Sequence, residues 1–136
     1  MIRALRINAF YYAAAASTAV AGILHLLSAS NSLAFSISFG IFFIVGGIAQ
    51  LFWTVLMMKK WGTRWYGAGI AGTAILIALF IVTRMPNRIT GGALPTSPMG
   101  IVIESIQAAF IGLSAAIIVY EVRRKQLSRK TAADAA

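Results

Sequence analysis

The sequence predicts an all-α membrane protein, a four-transmembrane-helix bundle with N- and C-termini cytoplasmic, and three observations predict it. Of 136 residues, 60% are apolar and 11% charged, with a mean hydropathy of +0.84, so lipid suits most of the surface better than water does. The apolar residues fall into four runs, and a hydrocarbon core roughly 30 Å thick needs about 20 helical residues per crossing. The basic residues lie between or beyond those runs. A single domain over residues 1–125 with a polar tail over 126–136 follows from this budget of residues.

The first helix is expected over about residues 9–28, after Arg3, Arg6 and Asn8. A basic start followed by an apolar run imitates a signal peptide, but the run exceeds the roughly 7–15 residues of a signal core, so a retained helix is expected. Ser30-Asn31-Ser32 reads as a short link to a second helix over about 33–58, ended by Lys59 and Lys60. The third helix, about 66–83, stops at Arg84 before Pro86, which cannot continue it. The next segment holds all three prolines and Gly91-Gly92, so it is a turn-rich loop that needs support to be ordered. Ser97-Pro98 reads as an N-cap with proline in the first turn, opening a fourth helix over about 98–120.

Orientation follows from charge. Arg3, Arg6, Lys59, Lys60, Arg64, Arg123, Arg124, Lys125, Arg129 and Lys130 share one side of a four-crossing chain, against Arg84 and Arg88 on the other. Ten against two places the termini inside, in a multi-pass protein of the cell membrane. Tyr11, Tyr12, Trp61, Trp65, Tyr66 and Tyr120 cluster at the same boundary, where amphipathic rings favour head groups. Trp53 reads as a further interface anchor, and Met57 and Met58 as apolar filler.

In lipid, small and polar residues mark the faces where helices meet. The stripes at helical spacing are Ala14, Thr18, Ala21 and His25 in the first helix, and Ser36, Gly40, Phe43, Gly47, Gln50 and Thr54 in the second. The third has Gly67, Ala71, Ala74 and Ala78, and the fourth Ser97, Gly100, Glu104, Gln107 and Ser114. Depth brings His25, Arg84 and Glu104 to the outer leaflet, as a structural staple or a pocket of polar groups. A Glu104 carboxylate in hydrocarbon must be neutral or paired with Arg84 or His25. Gln50 and Gln107 are expected to bridge helices, the Gln50 amide reaching Thr18, Thr54 or Ser114.

Several chemistries are excluded. There is no cysteine, hence no disulfide, thiolate metal site or thiol nucleophile. The only aspartate is Asp134, so no serine-histidine-aspartate set exists, and Gly91-Gly92 lacks the spacing of a phosphate loop. His25, Glu104, Met85 and Met99 have donor types that suit copper, but a single histidine without a partner three or four residues away gives no metal site. No catalytic residue and no cofactor are expected. The formal charge of +9 serves orientation and lipid head groups rather than nucleic acid.

The segments Gly22-Ile-Leu-His25, Gly46-Gly-Ile-Ala-Gln50 with Trp53, Thr83-Arg-Met-Pro86 and Gly100-Ile-Val-Ile-Glu104 resemble a poorly characterised archaeal family of small four-helix membrane proteins. In type rather than motif, the chain is also similar to accessory subunits of archaeal copper membrane monooxygenases, such as ammonia monooxygenase. That similarity implies packing against catalytic subunits, no active site in this chain, and an outer loop and His25 that face a partner. The expectation is therefore a non-catalytic accessory subunit whose partners are other integral membrane subunits and lipid. The alternative is a small proton-coupled transporter or ligand-binding protein using Glu104, His25 and Arg84. Small multidrug transporters are similar in helix count, but their acidic residue is in the first helix, where this chain has none.

Overall fold

The computed structural model describes residues 2–88 and 90–136, and side chains from residue 5 onward, so the side chain of Arg3 of the charge count and Ile89 of the loop lie outside what is described. Four helices, α1 (Ile2–Phe35), α2 (Ile37–Lys59), α3 (Thr63–Arg84) and α4 (Pro98–Asp134), account for the fold, with no strand among the described residues. Each is long and apolar enough to cross a membrane.

Two helices run past their expected bounds. The serines of the expected first link are helical, and their hydroxyls turn back onto the helix rather than opening a turn: Ser30 Oγ donates to the Leu27 carbonyl (3.3 Å) and Ser32 Oγ to that of Ser28 (2.8 Å). The chain breaks instead at Ser36, whose extended φ and ψ of −159° and 131° reverse it into α2. At 37 residues α4 is about 55 Å long, and most of what was expected to be tail is its exposed, basic end. Its start is as expected, with Ser97 Oγ accepting from the Gly100 N–H at 3.0 Å and Pro98 in the first turn.

Contacts run from α2 to α1, from α1 to α4 and from α4 to α3, whereas α2 and α3 barely meet. The α1–α2 hairpin is the closest pair. A β-carbon on Gly22 would lie 2.9 Å from the Gly47 carbonyl oxygen, and one on Gly47 would lie 2.9 Å from that of Gly22, so only glycine permits this approach. We call the end that carries the chain termini and residues 60–62 the terminal end, and the opposite end the loop end.

At the terminal end all four helices converge. Tyr11, Ala14 and Ala15 of α1, Met57 of α2, Tyr66 of α3, and Phe110 and Ile117 of α4 form one buried cluster. Tyr11 and Tyr66 meet edge to face at 5.8 Å, and the Tyr11 hydroxyl donates to the Glu121 carboxylate. Lys60 sits in the left-handed region (φ 53°), which a side chain rarely adopts. It is held there by Nζ, which donates to Asn8 Oδ1 at 2.6 Å and lies 5.0 Å from the Tyr11 ring centroid.

The loop end is organised differently. Residues 85–88 and 90–97 are folded around Asn87, whose side-chain amide donates to the carbonyls of Val82, Met85 and Gly92 while its oxygen accepts from the Thr90 N–H at 3.0 Å. The Leu94 N–H reaches back to the Thr83 carbonyl at 2.8 Å. The loop is thus held by its own asparagine.

Candidate functional site

The stripes expected on α1 and α4 face inward: Ala14, Thr18, Ala21 and His25 are buried, as are Gln107 and Ser114. On α2, Gly40, Gly47 and Gln50 are buried. The α3 stripe does not face inward. Ala71, Ala74 and Ala78 are exposed, and α3 buries Tyr66, Gly69, Thr73 and Thr83 instead. The inward face of α3 is chosen by Tyr66 reaching Tyr11 and by Gly69, which lies under the Trp53 indole and near Phe110. That rotation turns Gly67, Ala71, Ala74 and Ala78 away from the bundle.

Because α2 and α3 separate along most of their length, a crevice of about 190 Å³ remains between them. Its far wall is reached by Thr18 of α1, its α2 wall includes Phe42, Gln50 and Trp53, and its α3 wall includes Gly72, Thr73 and Leu76. Trp53 closes the terminal end of the crevice, with its indole N–H donating to the Trp65 carbonyl at 2.9 Å. The expected interface anchor is therefore a strut between α2 and α3.

Gln50 behaves differently from the expected amide bridge. Its backbone carbonyl accepts from both Thr18 Oγ1 and Thr54 Oγ1, each at 3.1 Å, which ties α1 to α2. Its side-chain oxygen is enclosed without a hydrogen-bond partner, and the residue is only 5% exposed. Gln107 is also buried, with both amide atoms unpartnered, and so is the Ser114 hydroxyl. An unpartnered buried amide costs about 1–3 kcal/mol, so these groups mark places where the isolated chain is incompletely satisfied.

The polar residues expected at one level each have partners of their own. Arg84 and Glu104 interact electrostatically where α3 meets α4. The guanidinium lies 4.1 Å from the Phe80 ring centroid and Nη1 donates to Thr83 Oγ1 at 2.8 Å, while Arg84 Nε and Glu104 Oε2 are buried without hydrogen-bond partners. His25 belongs to the α1–α2 hairpin: Nδ1 bonds the Ala21 carbonyl at 2.9 Å and the ring lies 5.3 Å from that of Phe43. A carbonyl only accepts, so Nδ1 carries a proton. Met85 and Met99 are exposed at the loop end.

Sequence reasoning missed two groups. Glu121 was read as the end of a helix, yet it lies seven residues beyond Ser114 on the same face, and that spacing marked it as inward. Asn87 carried the signal of an asparagine in a turn, which accepts and donates locally. The crevice holds hydrogen-bonding groups and apolar walls, chemistry suited to binding rather than bond breaking. No protein-family model, curated protein or solved structure matches the chain.

Proposed function

We propose that this protein is a non-catalytic helical subunit of a larger assembly in the cell membrane, its termini cytoplasmic, and that α3 is the helix through which it joins. The observation that carries this reading is the small-residue face of α3, turned away from its own bundle. Ala71, Ala74 and Ala78 are exposed, and a β-carbon on Gly67 would meet nothing within 4 Å. In lipid such a face permits close backbone approach by another transmembrane helix, which is the occupant proposed. The weak α2–α3 contact supports the same reading, since a neighbouring helix on α3 would brace the least anchored element of the bundle.

Extraction from native membrane in a mild detergent tests this directly. A stoichiometric integral membrane partner is expected, lost in Ala74→Phe, with the copper membrane monooxygenases the first candidates by similarity of type. A chain that purifies alone, or a partner retained by Ala74→Phe, overturns the proposal.

A second reading is favoured by one observation, the buried and unpartnered Glu104 Oε2 beside Arg84. A proton-coupled carrier would use that carboxylate. Proton-driven uptake into proteoliposomes that Glu104→Gln abolishes would support it, and uptake unchanged by the substitution would remove it.

A further inference from the structure

The crevice between α2 and α3 is separate from the outward face of α3, and its contents point to an occupant of their own. Gln50 provides an enclosed acceptor with nothing donating to it. Thr73, 5% exposed on the facing wall, makes no side-chain hydrogen bond among the described residues. Apart from Thr18, whose hydroxyl is engaged by the Gln50 carbonyl, the remaining walls are largely apolar, with the flat faces of Phe42 and Trp53 among them. Exposed Val45, Ala49, Ala68 and Gly72 also line the crevice, so it opens outward between two helices long and apolar enough to cross a membrane. Anything entering by that route is dissolved in lipid.

We propose that this crevice binds a lipophilic molecule whose head is a single hydroxylated ring, a phenol or hydroquinone. Its O–H would donate to Gln50 Oε1, and its oxygen is free to accept from the Thr73 hydroxyl. Size selects a ring: an apolar cavity of about 150 Å³ holds benzene, and this crevice of about 190 Å³ leaves room for one substituted ring with its tail directed into lipid. Hydrogen bonding selects the hydroxyl, because a hydrocarbon head would leave the amide oxygen buried and unpaired. A hydroxyl is the smallest group that satisfies an acceptor on one wall and a donor on the other. The step is binding alone, with no bond made or broken.

Fluorine NMR titration of the purified chain in phosphatidylcholine nanodiscs tests this with para-trifluoromethylphenol and its methyl ether, para-trifluoromethylanisole. The two probes share shape and ring, but only the phenol donates. The phenol is expected to bind about tenfold more tightly than the ether, the worth of one well-placed hydrogen bond. Gln50→Leu should reduce that ratio to about one while both probes still bind. Gly72→Phe should abolish both, since a β-carbon there meets nothing within 4 Å and the ring would enter the crevice without disturbing the bundle. Equal affinities in the unsubstituted chain, a preference that survives Gln50→Leu, or binding unaffected by Gly72→Phe would each overturn the proposal. The titration uses the isolated chain, so it succeeds or fails independently of any partner bound at α3.

Discussion

The terminal end and the middle of this protein solve the same problem in opposite ways. Around Tyr11 the four helices share one buried cluster in which most polar groups find each other: the Tyr11 hydroxyl donates to Glu121 and Lys60 to Asn8, with the Tyr66 hydroxyl left unpartnered. Farther toward the loop end the chain behaves as two hairpins. His25 and Phe43 join α1 to α2, and α3 packs on α4, where a β-carbon on Gly100 would lie 2.8 Å from the Phe80 ring. Between the hairpins lie the crevice and the unpartnered Gln50 oxygen, while Gln107 stays unsatisfied in α4. Paired polar residues tie the first region together across its helices, with only the Tyr66 and Ser114 hydroxyls left over among its described groups. In the second, polar groups are left available, which is where a membrane protein has something still to bind.

Substitutions can break or sharpen this contrast, read as unfolding in mixed micelles titrated with sodium dodecyl sulfate. The largest loss is expected for Gly47→Leu, about 3 kcal/mol, because a side chain there meets the Gly22 backbone and the Leu26 side chain 2.8 Å away and must part the α1–α2 hairpin. Tyr11→Phe should cost about 2 kcal/mol, since it deprives a partly buried carboxylate of its donor. Ser97→Ala should cost about 1 kcal/mol by uncapping α4.

Gln50→Leu is expected to move the other way, raising stability by up to about 1 kcal/mol, because it removes a buried oxygen that nothing satisfies while keeping the backbone carbonyl bonds to Thr18 and Thr54. A loss of more than about 1 kcal/mol in that variant would mean that the amide is satisfied within the chain. Gly112→Ala, at a position where a β-carbon meets nothing within 4 Å, should stay within about 0.5 kcal/mol.

The number of helices and the inward faces of α1 and α4 were legible in the sequence because burial there repeats at helical spacing. Thr18, Ala21 and His25 illustrate it, as do Gln107 and Ser114. The face of α3 was not legible, for a physical reason. A stripe of glycine and alanine states that something approaches closely, but not whether that neighbour is in the same chain. On α3 the larger Tyr66, with Gly69 beneath Trp53, decides which side turns inward, and that pairing depends on partners 55 and 16 residues away. The partners within the polar trio were likewise not legible. Depth along a helix placed His25, Arg84 and Glu104 at one level, but rotation assigned His25 to α2 and left Arg84 with Glu104. Gln50 was recognised as a polar contact between helices, although its backbone rather than its amide makes that contact.

The central claim is that α3 presents its small-residue face to another membrane chain. The most direct measurement places a photo-crosslinking residue at Ala74 and, in a second variant, at Ile23, which is 49% exposed on α1, and illuminates native membranes. A discrete protein adduct from Ala74, with only lipid labelled from Ile23, is the predicted result. Lipid alone at Ala74, or the same adduct from both positions, would contradict it.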